Sequence, residues 1–289
     1  LLTLLHALDW RRWHPIVVAA DDTSAGLLHE CGLHEVPSHA MPFGHWGRHP
    51  GGVAAFLRDV HRLRRLYSRE LRRRRIDLVH ANTARAGLLA KASLPASLPL
   101  IVHDRDAGRT PPVVRRIVAR RADRVIAVSD TAASFWEGTG ASVVTIPNGF
   151  DVDSLESVPP TTRLVTPPGG LTLLLVADFV PWKRHELFLE AVRVASAEAS
   201  GIRAVVVGRP LNRAGRKHAR ELWHWVVTHG LQQQVEFVLD CENAVPWMAA
   251  ADVLVTTSEG EPFGRSVVES LAVGTPVIAT ADAGPAEIL

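Results

Sequence analysis

Cysteine is all but missing. Cys31 and Cys241 stand far apart in a chain of 289 residues, with no metal-type spacing around either. That excludes a disulfide framework and a thiolate zinc site, and it points to a reducing cytoplasm. Lysine is almost as scarce, occurring only at Lys91, Lys183 and Lys217, so arginine is the usual cation of this chain. Long apolar runs are lacking too. The longest, such as the stretch from Leu171 to Ala177 around Thr172, fall well short of the roughly 20 residues that cross a bilayer. Leu1 to Leu8 is apolar but carries no initiating Met, no basic leader and no small-residue cleavage site. It reads as part of a helix, not as a signal peptide. No low-complexity tract interrupts the chain. What is left is ordinary globular composition, 47% hydrophobic and 21% charged, long enough for about two domains that each bury a core.

Net charge is +2, unevenly spread. Residues 1–150 hold 21 basic against 13 acidic side chains, a net of +8, and residues 151–289 hold 11 against 17, a net of −6. Such asymmetry suggests two domains with different partners.

Short β-branched runs alternate with amphipathic stretches. In the first half, strands are expected at 16–18, 78–80, 100–103, 125–128 and 143–146, with helices at 25–31, 53–75, 84–92, 112–121 and 131–138. In the second half, strands fall at 171–176, 204–207, 235–239, 253–257 and 277–280, with helices at 186–199, 213–229, 244–250 and 265–273. Continuous buried strands alternating with helices predict parallel βαβ units. Between the halves lie Pro159-Pro160 and Pro167-Pro168, followed by Gly169-Gly170. Residues 151–170 therefore read as a linker. The division is a first domain over 1–150, this linker, and a second domain over 171–289. Doubly wound sheets bind ligands at the carboxyl ends of their strands, so a cleft between the two domains is the expected site. The chain begins inside a first helix, without the strand expected before it, and stops at Glu287-Ile288-Leu289 as a new helix starts. Truncation at both ends is expected.

The densest signal runs from Ser258 to Thr280. A buried strand ends at Thr257, and a loop then holds Glu261 at its mouth. Gly264 lets backbone come close to a ligand. The following helix offers free N–H groups to a phosphate or a sugar hydroxyl. Glu269 sits on that helix, facing a cleft if Val267, Val268 and Leu271 face the sheet. Two carboxylates eight residues apart suit the vicinal hydroxyls of a sugar and a ribose. The plainer reading is two solvated carboxylates around a helix start.

This segment resembles the E-x7-E motif of the retaining, family 4 glycosyltransferases of group 1, which have the GT-B architecture. Further matches follow in family order: Val102-His103-Asp104, Ile146-Pro147-Asn148-Gly149, Phe179 to His185, Ala249 to Val253, and Gly274 to Thr280 with Gly284-Pro285-Ala286-Glu287. The resemblance implies a GT-B-like α/β fold, two doubly wound Rossmann-like parallel-sheet domains facing a cleft. It implies transfer of a sugar from a UDP- or GDP-linked donor, with retention, to a glycan, a lipid-linked sugar or a small molecule. No cofactor and no obligatory metal are implied. Glu261 would contact the donor sugar and Glu269 the nucleotide ribose. Phe263 and Gly264 would lie against sugar and diphosphate. Lys183 would bind the diphosphate and offset charge on the leaving group, and His103 would approach the reacting sugar. A non-catalytic sugar-nucleotide-binding relative and a GT-B-fold sugar-nucleotide epimerase remain alternatives.

Two features depart from the family. Ala177-Asp178 stands where many relatives have Gly-Arg, an arginine that joins the lysine on the diphosphate, with Arg184 as a candidate substitute; Asp178 is expected to face a cation such as Arg184 or Lys183. The glycine-rich loop of the first domain is missing. Asp104-Arg105-Asp106 and Asp151-Val152-Asp153 spell the metal-binding Asp-x-Asp of another glycosyltransferase fold, but so short a match is cheap, and both read as structural. His34, His39, His45 and His49 have no ligand spacing and read as loop. Gly138-Thr139-Gly140 precedes a strand and lacks the third glycine of a dinucleotide fingerprint. The stretch from Arg58 to Arg75 carries nine arginines against Asp59 and Glu70, with Leu57, Leu63, Leu66 and Leu71 as an apolar stripe. It reads as a solvated helix face, with peripheral contact to anionic lipid at the inner membrane face as the functional option. Tyr67 is its only aromatic, so nucleic acid is not an expected partner.

Overall fold

A computed structural model describes residues 2–20, 25–43, 46, 50–106, 108–164, 168–239 and 241–289. His45, His49 and Pro167 lie outside them. The chain divides into two compact units, residues 1–128 with 132–150, and residues 129–131 with 151–289.

In the first unit the elements are α1 (Leu2–Ala7), β1 (Val17–Ala20), α2 (Ala25–Leu33), β2 (Ser38–Met41), α3 (Pro50–Arg69), β3 (Val79–Ala81), α4 (Ala84–Ser93), β4 (Leu100–Asp104), α5 (Pro112–Ala119), β5 (Arg124–Ala127), α6 (Asp130–Ser134) and β6 (Val143–Thr145). β3 to β6 form a parallel sheet in chain order. Its core includes fully buried Val102, Val118 and Val125. α4 starts at Thr83, whose Oγ1 accepts from Ala86 N at 3.0 Å, an N-cap of the usual kind. Gly87 lets α4 lie close on the sheet, since a Cβ there would meet Val102 Cγ2 at 2.8 Å.

Two expectations are corrected here. β2 pairs in parallel with β1, Val17 against Ser38 through Ala20 against Met41. The segment Ser-His-Ala-Met has no β-branched run to announce a strand, and the partner strand makes it one. The arginine-rich helix ends at Arg69, and Leu71–Arg74 forms a separate 3-10 turn closed by Arg75 at φ 49°. Of the expected apolar stripe, Leu63 and Leu71 are buried, but Leu57 is 61% exposed. α3 packs through Val60 and Leu63, beside Met41 and Leu89. Its buried Asp59 accepts from Trp46 Nε1 at 2.6 Å and pairs with Arg62 at 3.3 Å.

The second unit runs α7 (Val152–Glu156), β7 (Leu171–Val176), α8 (His185–Glu198), β8 (Ile202–Val207), α9 (Arg213–Thr228), β9 (Val235–Val238), α10 (Val245–Ala250), β10 (Val253–Thr256), α11 (Arg265–Ala272), β11 (Val277–Ala279) and α12 (Ala283–Ile288). All five strands are parallel, in the order β11-β10-β7-β8-β9. Leu174, Leu175, Val205 and Val206 are all fully buried, because consecutive residues of a strand covered on both faces have no wet side. Phe188, Leu189 and Val192 of α8 are 0% exposed, each contributing about 1.5–3 kcal/mol by burial. The expected linker is not a free connection. It contains α7, Thr161 N donates to Pro246 O at 2.8 Å, and Leu164 packs into the core beside Trp247 and Met248. Proline signals irregular backbone, but it does not exclude packing.

Candidate functional site

The strand order of the second unit reverses between β7 and β10. Connections from those two strands leave in opposite directions and open a crevice at their carboxyl ends, where doubly wound sheets bind ligands. β7 is followed by the 3-10 turn Pro181–Lys183, and β10 by the loop that carries Glu261. Lys183 Nζ meets Glu261 Oε2 there in a direct hydrogen-bonded ion pair, with side chains 17% and 14% exposed. The ammonium also lies 4.2 Å from the Trp182 ring centroid.

Both pieces are pinned by backbone. Glu259 N donates to Trp182 O at 2.8 Å, and Thr257 Oγ1 donates to the carbonyls of Lys183 and Arg184, both at 2.9 Å. On the other side of the loop, Gly260 N donates to Asp282 Oδ2 at 2.7 Å and Gly284 N to Glu261 O at 2.9 Å. A Cβ on Gly284 would overlap the Phe263 backbone. Gly264, at φ 96°, precedes α11, so the left-handed turn that aims this helix start is one glycine adopts freely. Phe263 is half-buried beside it.

Glu269 lies 17% exposed on α11 and accepts from Arg265 Nη2 at 2.8 Å. Val267 is fully buried beneath it, but Leu271 is 44% exposed, so Leu271 does not face the sheet as expected. Arg184 adopts φ 50° between the 3-10 turn and α8, with its side chain exposed. The cation facing Asp178 is neither Lys183 nor Arg184. Arg209, following β8, donates from its backbone N at 3.2 Å and places Nε 3.9 Å from the carboxylate. Sequence reasoning missed Arg209, Trp182 and Arg265. Arg209 meets a partner 31 positions away, whereas Trp182 and Arg265 lie inside the matched segments beside Lys183 and Glu269 and could have been found there. Behind the lysine, His185 is fully buried, stacked on Phe179 at 4.8 Å. Desolvation pulls its pKa down to about 4, partly offset by the Ala177 carbonyl, so it is neutral at neutral pH.

His103 belongs to the first unit, on β4. Its ring stacks on His80 with centroids 5.6 Å apart and planes 12° apart. Both ring nitrogens are buried with no hydrogen-bond partner among the described residues. Desolvation first, then Arg105 and His80, lower its pKa to about 4. A neutral imidazole with open nitrogens can accept from, or donate to, a hydroxyl. Its neighbour Asp104 is fully buried, accepting from Trp136 Nε1 at 2.6 Å and Asp106 N at 3.0 Å. Burial raises its pKa against those hydrogen bonds. Asp151 caps α7, accepting from Ser154 N at 3.2 Å. Both aspartates thus have structural work.

Two family models match the chain: Glycosyltransferase Family 4 over residues 1–154 and Glycosyl transferases group 1 over residues 163–289. The chain is similar to D-inositol 3-phosphate glycosyltransferase of Geodermatophilus obscurus, 30% identical over 222 residues, covering 72% of this chain and 48% of the relative. It is similar to phosphatidyl-myo-inositol mannosyltransferase of Mycobacterium leprae, 32% identical over 160 residues, covering 54% of this chain and 40% of the relative. The chain thus spans about half the length of these curated relatives or less. Among solved structures, Anabaena HepE in complex with UDP and glucose superposes with a TM-score of 0.74 at 21% identity, over 95% of this chain and 82% of that one. This likeness shows the fold, an α/β architecture of the GT-B class.

Proposed function

The chain belongs to the group 1, family 4 glycosyltransferases, and on that premise we propose that the whole protein transfers a sugar from a UDP- or GDP-linked donor to an acceptor. The observation that carries this reading is the meeting of Lys183 and Glu261 at the point where the second sheet reverses its order. Lys183 would bind the diphosphate and stabilise the leaving group. Glu261 would take donor-sugar hydroxyls and Glu269 the ribose, each exchanging its present cation for a ligand. Phe263 and Gly264 line the diphosphate side, with Arg184 and Arg209 as flanking positive charge. For His103, in the first unit, the family resemblance supports a role toward the reacting sugar. The acceptor is a glycan, a lipid-linked sugar or a small molecule, and the relatives' names add inositol phosphates to that range. Retention of the anomeric configuration is part of this proposal, and the resemblance of residues 258–280 to the E-x7-E motif supports it. The cation and backbone donors supply the positive potential, so no metal is required.

The test is release of nucleoside diphosphate by the full-length protein from a panel of UDP- and GDP-sugars, with and without EDTA. Turnover that survives chelation is expected. Loss in EDTA restored by manganese would overturn the metal-free mechanism, and no turnover or binding of any donor would remove the transferase reading.

We further propose a cytoplasmic protein that touches the inner membrane face through its first unit. No helix among the described residues is long and apolar enough to cross a membrane. The outward face of α3 presents Val53 and Leu57, 49% and 61% exposed, beside exposed Arg58, His61 and Arg62. Apolar residues flanked by arginines suit an anionic lipid surface, at about 1 kcal/mol per basic residue near it. Salt-sensitive flotation with phosphatidylglycerol vesicles, lost in Leu57→Asp, is the expected result. Equal partitioning to neutral vesicles would leave only a solvated helix face.

A further inference from the structure

The ammonium of Lys183 has two partners, and the proposed function accounts for only one of them. Trp182 is the middle residue of the 3-10 turn that opens with Pro181 and closes at Arg184. Proline limits φ at its start, and Lys183 N and Arg184 N donate back to Val180 O at 3.1 Å and Pro181 O at 3.0 Å. The Trp182 carbonyl is held by Glu259 N, two residues before Glu261 in the loop after β10. Tryptophan, lysine and glutamate therefore share one backbone frame, and the Lys183 ammonium contacts both the indole, 4.2 Å from its centroid, and the Glu261 carboxylate.

We propose that Trp182 is a positioning residue of the phosphate site, its indole face holding the Lys183 ammonium at the crevice between the ends of β7 and β10. A free lysine side chain explores many rotamers and must lose them when it binds an anion. Held by an aromatic face on one side, it loses less at the moment of binding. Indole is the strongest aromatic partner for an ammonium. When a diphosphate displaces the Glu261 carboxylate, the indole contact can persist, so the cation turns toward the ligand without being released to water. This inference rests on the nucleotide-site reading above.

These 289 residues hold only three lysines, and loss of one signal in Lys183→Ala assigns Lys183 in full-length protein labelled on lysine with carbon-13. The Lys183 methylene protons next to Nζ should be shifted upfield by the indole ring current, and Trp182→Leu should abolish that shift. Calorimetry with UDP and GDP on the full-length protein reads the consequence, with uridine and guanosine as controls. Trp182→Leu should weaken the diphosphate that the wild type takes by about five-fold, while Trp182→Phe stays within about two-fold. Nucleoside binding should not change, and Trp182→Leu should add no loss on a Lys183→Ala background. Diphosphate binding unchanged in Trp182→Leu, an equal loss for nucleosides, or a further loss without Lys183 would each overturn the inference. If Trp182→Leu does not fold, an unshifted Lys183 signal in the wild type overturns it. A wild type that takes neither diphosphate is a separate outcome that removes the nucleotide-site reading itself.

Discussion

On the proposed function, Lys183→Ala should lower turnover of the full-length protein at least ~10-fold, the loss expected for taking a charged donor from a developing anion. It should also lower stability, because Glu261 is only 14% exposed and would lose its cation. A carboxylate left partly buried without its partner costs about 1–3 kcal/mol. The two effects separate in a second variant. Lys183→Met combined with Glu261→Gln removes both charges and should restore most of the stability without restoring turnover. Asp178→Ala is the contrasting case. Its carboxylate faces Arg209 on an exposed rim, where an ion pair is worth about 0–1 kcal/mol, so turnover should hold or rise slightly. Steady-state kinetics and thermal unfolding of all three variants decide the matter. A silent Lys183→Ala would place the phosphate site elsewhere.

Gly208→Ala should destabilise the second unit by at least ~3 kcal/mol, toward the upper range for single substitutions. A Cβ at Gly208 would overlap the Ala177 carbonyl oxygen and lie 2.6 Å from the carbonyl carbon. Both are backbone atoms just past β7, so no rotamer change relieves the overlap. Nor can the strand end move away freely. Ala177 N donates to Val207 O at 2.9 Å, and Gly208 N donates to Val238 O at 3.1 Å. The backbone leading to Asp178 and the Lys183 turn starts at this point, so donor affinity should fall with stability. Gly149→Ala is the control, since a Cβ there meets nothing within 4 Å, and it should stay within about 0.5 kcal/mol of wild type. Urea unfolding that shows the two variants alike would rule out the close approach of β7 and β8.

Much of the second unit is legible from local pattern. β7 occupies the expected residues, and β8 to β11 lie within about two residues of their expected ends, because buried parallel strands show as continuous apolar runs. Glu261, Gly264 and Glu269 stand out because a strand end, a glycine and a helix start lie within a dozen consecutive residues. The first unit is harder to read. β2 has too weak a run to declare itself, and no glycine or proline marks the break between Arg69 and the 3-10 turn at Leu71.

By itself the sequence determined the βαβ alternation, the absence of a disulfide scaffold, the charge division between the two halves and the candidate polar residues. All of these depend on residue identity and short-range spacing. Tertiary structure alone decided that β10 lies beside β7 and so brings Glu261 to Lys183 across 78 positions. It also decided that Arg209 answers Asp178, that Trp182 faces the ammonium, and that the proline-rich stretch before β7 packs against the second core. The physical reason is common to them. Parallel pairing joins segments through long crossovers, so its partners are chosen by the packing of whole layers, and no local period in the chain records that choice.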